Sequence, residues 1–184
     1  MQHFKRSLQK NLSYLLQGGL ALVAVPVGTI GFGLAIAPSA SAQAAYGSYI
    51  GIGPSVGLTD GSREEPSKVA GVVAGRYKFI AAPISLRTQV LIGNSVAVVP
   101  TVSYDIPLSW RADAYIGVGA SIPLSGDRTT PVGNQTAFAI QPGIDYALPN
   151  SDFVLFGNAI IAFGAYKQGP GPAASVQGGV GVRF

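Results

Sequence analysis

The chain has 184 residues, 25 of them Gly, none Cys, 11% charged, with a mean hydropathy of +0.37. No disulfide framework or Cys nucleophile is possible, and no clean run of about 20 apolar residues follows the N-terminal region, which excludes a conventional helical membrane protein there. The formal charge of +4 is concentrated early, because Lys5, Arg6 and Lys10 leave nine Lys/Arg against eight Asp/Glu, so no nucleic-acid surface is implied.

Those early cations precede the apolar stretch LALVAVPVGTIGFGLAIA (20–37) and then PSASA before Gln43. A charged region, an apolar region and an A-x-A site in that order read as a signal peptide over 1–42. The alternative is an uncleaved membrane anchor. Residues 43–184 then form one domain.

The first segment after it, YIGIGPSVGL (49–58), is nearly repeated as YIGVGASIPL (115–124). Its glycines invite comparison with a phosphate loop, but the spacing is G-x-G-x-x-x-G, Pro54 interrupts it and no helix-period stretch follows. Read with period two, Ile50, Ile52, Val56 and Leu58 share one face, while Gly51, Gly53, Ser55 and Gly57 share the other. A strand with one bare face fits better.

In chain order the period-two segments are 47–59, 69–79, 84–92, 95–105, 111–122, 135–147, 153–166 and 173–184. Longer connections generally follow the odd segments and short ones the even segments. The expected fold is all-β: an eight-stranded antiparallel up-and-down transmembrane β-barrel, preceded by the signal segment. Segment 153–166 is apolar on both faces, and Asn158 alone suggests that its even residues face in. Pro54, Pro100 and Pro142 fall inside strands that have no free edge in a closed barrel, so bulges or broken pairing are expected there.

The charges decide between a soluble and a membrane barrel. Arg76, Lys78, Arg87, Asp105, Asp113, Asp145 and Arg183 all lie opposite the apolar face. An Arg or Lys on a lipid-facing surface at mid-membrane would cost about 2–4 kcal/mol, so these seven are expected to point inward, where four cations and three carboxylates can pair. Their functional alternative is an ion pathway or active site. Tyr77, Phe79, Tyr104, Trp110, Tyr146, Phe153 and Phe184 fall toward one rim, as an interfacial girdle should.

The last residues, GGVGVRF, place Val180, Val182 and Phe184 at alternate positions with an aromatic at the end. This terminal strand, with the signal segment and eight strands, resembles the small bacterial outer-membrane β-barrel family of the OmpA/OmpX type. The resemblance covers about residues 46–184 and is architectural. It implies export to the outer membrane of a Gram-negative-type bacterium, outer-membrane lipid as the surroundings, and recognition of Val180, Val182 and Phe184 by the barrel-assembly machinery. The peptidoglycan-binding domain of OmpA is not carried over, and the short outer loops do not suggest adhesion.

His3, inside the signal segment, is the one histidine, so Ser-His-Asp chemistry and His metal sites have no basis in the barrel and no enzyme or cofactor is expected. Asp105, Asp113 and Asp145 beside arginines would serve as ion-pair partners. Two function classes remain: a structural, envelope-integrity barrel whose lumen is filled by its own charged network, or a narrow porin-like channel for water or small solutes. The small residues Gly51, Gly53, Ser55, Gly57, Gly117, Gly119, Ser121, Gly179 and Gly181 carry the channel reading, since strands one and eight would meet at closure and could leave a cleft. A soluble secreted binding barrel is a third possibility.

Overall fold

The computed structural model describes residues 47–59, 69–124, 129–167, 169 and 171–184. The expected signal segment, 1–42, lies outside them. Eight strands follow one another: β1 (Tyr49–Gly57), β2 (Val69–Lys78), β3 (Ile84–Ile92), β4 (Val96–Pro107), β5 (Ala112–Pro123), β6 (Ala137–Ala147), β7 (Phe153–Phe163) and β8 (Ala173–Arg183). Each pairs antiparallel with the next, and β1 closes on β8 to complete the barrel. Closure satisfies every strand edge, a requirement for any sheet surrounded by hydrocarbon.

Alternation sets the two faces. Buried residues recur at every second position, as in β3, where Ser85, Arg87, Gln89 and Leu91 point in while Ile84, Leu86 and Ile92 are exposed. In β7 the even residues Val154, Phe156, Asn158, Ile160 and Ala162 face the lumen, as the position of Asn158 suggests. The outer face carries Ile50, Ile52, Val69, Val102, Ile116, Val118, Phe138, Val180 and Val182, all exposed. Such a continuous apolar surface is far larger than a water-soluble monomer carries.

Strand ends differ from the sequence reading by a few residues. β4 and β5 run on to Pro107 and Pro123, and β7 stops at Phe163 rather than 166, because Gly164 adopts φ 68° and turns the chain away. The three prolines break pairing without bulging. Register is unchanged across each, but Pro54 has no Cα partner on β8, Pro100 none on β5 and Pro142 none on β7, while all three stay paired on their other side. A missing N–H thus interrupts one ladder locally, and near Pro54 and Pro100 the glycines Gly53, Gly178 and Gly119 let the backbones approach.

The short connections 79–83, 108–111 and 148–152 and Phe184 define one rim, here the terminal rim; the opposite strand ends define the loop rim. All seven girdle aromatics are exposed at the terminal rim. At the loop rim the β5–β6 connection folds back into the mouth. Val132 is fully buried, its carbonyl accepts a hydrogen bond from Ser121 Oγ (3.2 Å), and the amides of Asn134 and Gln135 reach the Ala165 carbonyl.

Candidate functional site: the charged lumen

The inward positions nearest the terminal rim bring charges together from five strands. Register places like charges side by side on the barrel wall: Arg76 of β2 is opposite Arg87 of β3, and Asp113 of β5 is opposite Asp145 of β6. Directly opposed like charges destabilise a sheet unless something else neutralises them. Here the neutralising partner is the far wall. Arg76 reaches across with Nη2 to Asp105 Oδ2 (2.8 Å) and Asp113 Oδ2 (3.0 Å), and with Nη1 to Asp145 Oδ2 (2.9 Å).

Arg87 extends the same bridge. Its Nη2 meets Asp145 Oδ2 at 2.9 Å and Asp105 Oδ1 at 3.2 Å, Nε donates to Ser103 Oγ, and the guanidinium lies 3.3 Å from the centroid of the Tyr115 ring. Ser85 Oγ donates to Asp105 and Tyr49 donates its hydroxyl to Asp145 Oδ1 (3.0 Å). Lys78 joins at the edge, with Nζ 3.1 Å from Asp113 Oδ2 and a side chain still 20% exposed. Three cations therefore face three carboxylates, a set whose formal charges cancel.

Six of the seven charged positions singled out from the sequence thus meet in one cluster. Arg183 does not. Tyr49, its partner on β1, takes the inward space beside Asp145, and Arg183 instead turns to the β6–β7 connection, donating from Nη2 to the Ser151 carbonyl with Asp152 Oδ1 at 3.7 Å. The parity of a strand position gives its face but not its depth, and Arg183 is the last residue of its strand. Sequence reasoning also passed over Tyr49, Tyr115, Ser85 and Ser103 as members of the cluster, although inward parity was the available signal. Val180, Val182 and Phe184 are exposed on the outer surface.

The glycine face of β1 and β8 is covered, not open. The Phe156 ring lies against it, so that a Cβ at Gly51 would come within 2.7 Å of that ring and one at Gly179 within 2.6 Å. Tyr49 stacks beside Phe156 with centroids 6.0 Å apart. A Cβ at Gly53 would fall on the Gly178 carbonyl, so this glycine serves close approach of the two backbones at the seam. The cleft expected between strands one and eight is therefore filled by aromatic side chains.

An eight-stranded closed barrel that is apolar outside and ionic inside has the architecture of a transmembrane β-barrel. Solved structures agree on that fold. A de novo designed transmembrane β-barrel matches with a TM-score of 0.50 and 11% identity, covering 76% of this chain and 97% of the design. Ail, the attachment invasion locus protein of Yersinia pestis, matches with a TM-score of 0.51 and 16% identity, covering 76% of this chain and 99% of Ail. No protein-family model and no curated protein sequence matches the chain.

Proposed function

We propose that the chain is a structural barrel of the bacterial outer membrane, exported by residues 1–42, surrounded by lipid, and filled by its own side chains rather than catalysing a reaction or conducting solute. One observation carries this reading: Arg76 of β2 contacts carboxylates of β4, β5 and β6, so that one side chain ties the barrel across its own lumen. A lumen clamped in this way resists ovalisation of the barrel. The buried Val132 and the Phe156 ring add to that filling at the mouth and at the β1–β8 seam. Eight-stranded barrels leave an interior just wide enough for side chains to fill. On this reading Val180, Val182 and Phe184 form the outward row that the barrel-assembly machinery engages.

Fractionation tests the location: the protein is expected in the outer-membrane fraction and soluble only with detergent, and recovery in the aqueous fraction refutes it. Electrophoresis without boiling tests closure, the folded form migrating apart from the boiled one. Planar-bilayer recording then separates scaffold from channel. A silent bilayer is expected, and discrete conductance steps from the unmodified chain would overturn the filled-lumen reading.

A further inference from the structure

A pocket of 340 Å³ opens at the terminal rim, between the β4–β5 and β6–β7 connections and the end of β8, and Trp110, Arg111, Asn150, Ser151, Asp152 and Arg183 are among its lining residues. Its walls are held in place. Arg111 donates its amide to Ser109 Oγ (3.2 Å), and its carbonyl accepts from the Ala147 amide (2.8 Å). On the other side, Asn150 at φ 57° follows Pro149, the residue order that a tight turn with a left-handed third position requires, and Ser151 Oγ donates to the Leu148 carbonyl. Arg183 is fixed by its hydrogen bond to Ser151.

The charge in this pocket is not balanced as it is in the lumen. Arg111 is exposed and makes no ion pair among the described residues, and the one carboxylate, Asp152, lies near Arg183 with its side chain 86% exposed. The level in the membrane is also specific. Trp110, Tyr146, Phe153 and Phe184 place the pocket in the aromatic belt, at headgroup depth. Next to Arg111 in the chain, the outward residues Ala112 and Ala114 are smaller than their register partners Ile106 on β4 and Tyr146 and Ile144 on β6.

We infer that this pocket binds the phosphate headgroup of a membrane phospholipid, with Arg111 as the principal contact, Arg183 as a second cation, and an acyl chain in the depression over Ala112 and Ala114. The inference rests on the membrane-barrel reading, which fixes the pocket at headgroup depth. Guanidinium groups match phosphate oxygens in a planar, often bidentate arrangement. The indole of Trp110, the single Trp of the chain, lines the same pocket and reports on its occupancy.

The test uses the full chain folded in uncharged detergent, first checked for the mobility difference between unboiled and boiled samples. If that difference is absent, the barrel reading fails before the pocket is addressed. With it present, Trp fluorescence is followed during titration with short-chain phosphatidylglycerol, with a short-chain diacylglycerol, and with inorganic phosphate. A saturable change with phosphatidylglycerol is expected, absent with the diacylglycerol, weakened at least 5-fold in Arg111→Gln and less so in Arg111→Lys, which keeps the charge but not the planar fork. A response that does not saturate, or is equal in Arg111→Gln and the unmodified chain, overturns the site. An equal response to inorganic phosphate overturns the lipid as its occupant.

Discussion

The lumen has a lower part toward the terminal rim and an upper part toward the loop rim that are held together by different means. Buried polar residues such as Gln89, Thr101, Gln141, Asn158 and Gln177 lie between them. Toward the terminal rim, Arg76, Arg87, Asp105, Asp113 and Asp145 are almost fully buried and joined across the barrel. Toward the loop rim, Val72, Leu91, Ala97, Val99, Ala139, Ile160 and Ala162 form an apolar core capped by Val132 and Ala165. A buried ion pair is weak evidence of net stability, because desolvation offsets attraction, but removing one partner is expensive. An apolar core degrades gradually as volume is lost. The lower half is therefore expected to be brittle and specific, the upper half tolerant.

The largest effect should come from Arg76→Met, which takes one cationic partner from each of three carboxylates at once and leaves Arg87 and Lys78 alone against them. A loss of about 3–5 kcal/mol in the urea unfolding free energy of the lipid-embedded barrel is expected. Adding Asp113→Asn should recover part of it, since the two sites share an interaction. Strict additivity of the two changes would break the account of the lower half as one network. Ile116→Arg tests the same level of the barrel from the other side, where an arginine meets lipid instead of carboxylates. Ile116 is the fifth residue of the 12 in β5, inside the strand end, so this should cost roughly 1–2 kcal/mol, between the interfacial and midplane values for lipid-facing cations. An unchanged midpoint would mean that hydrocarbon does not touch that face.

In the upper half, Val132→Ala removes two buried carbons from the apolar cluster. The expected loss is about 1–2 kcal/mol from lost burial and the cavity left behind. The result that would erase the contrast between the halves is a loss as large as that for Arg76→Met. A conductance appearing in this variant would further show that the mouth is closed by that one side chain.

The two halves were not equally legible in the sequence. Charges opposite an apolar face on β2 to β6 could be assigned inward by period alone, and the energetic penalty of placing them in lipid fixed the sign. Their pairing across the lumen was less visible: Arg76 and Arg87, neighbours on the wall, look repulsive until the far wall is brought to them. Val132 had no signal of this kind. It lies in a connection, where no periodicity distinguishes a residue that folds inward from one that points to solvent. The covering of Gly51 and Gly179 by Phe156 was hidden for a related reason, since it depends on side-chain reach within the lumen and not on strand parity. Boundaries failed by up to three residues where turn chemistry, as at Gly164, overrode an apolar pattern that continued past it.

Lys78 should give the smallest effect, and it separates burial from charge within the lower half. Its ammonium is 3.1 Å from Asp113, as close as the arginines come to their partners, and 3.9 Å from Asp105, but its side chain reaches the edge of the cluster and is one-fifth exposed. Water at that edge raises the local dielectric response, so Coulomb attraction is weaker and the desolvation that makes Arg76 costly to lose is only partial. Lys78→Gln should therefore cost no more than about 1 kcal/mol. Salt gives the sharper reading. Near 1 M the screening length falls to about 3 Å, which should abolish most of the difference between Lys78→Gln and the unmodified barrel while leaving the Arg76→Met loss intact. If both losses shrank together with salt, the cluster would be open to ions throughout, and the division between a sealed ionic layer and its wet edge would not hold.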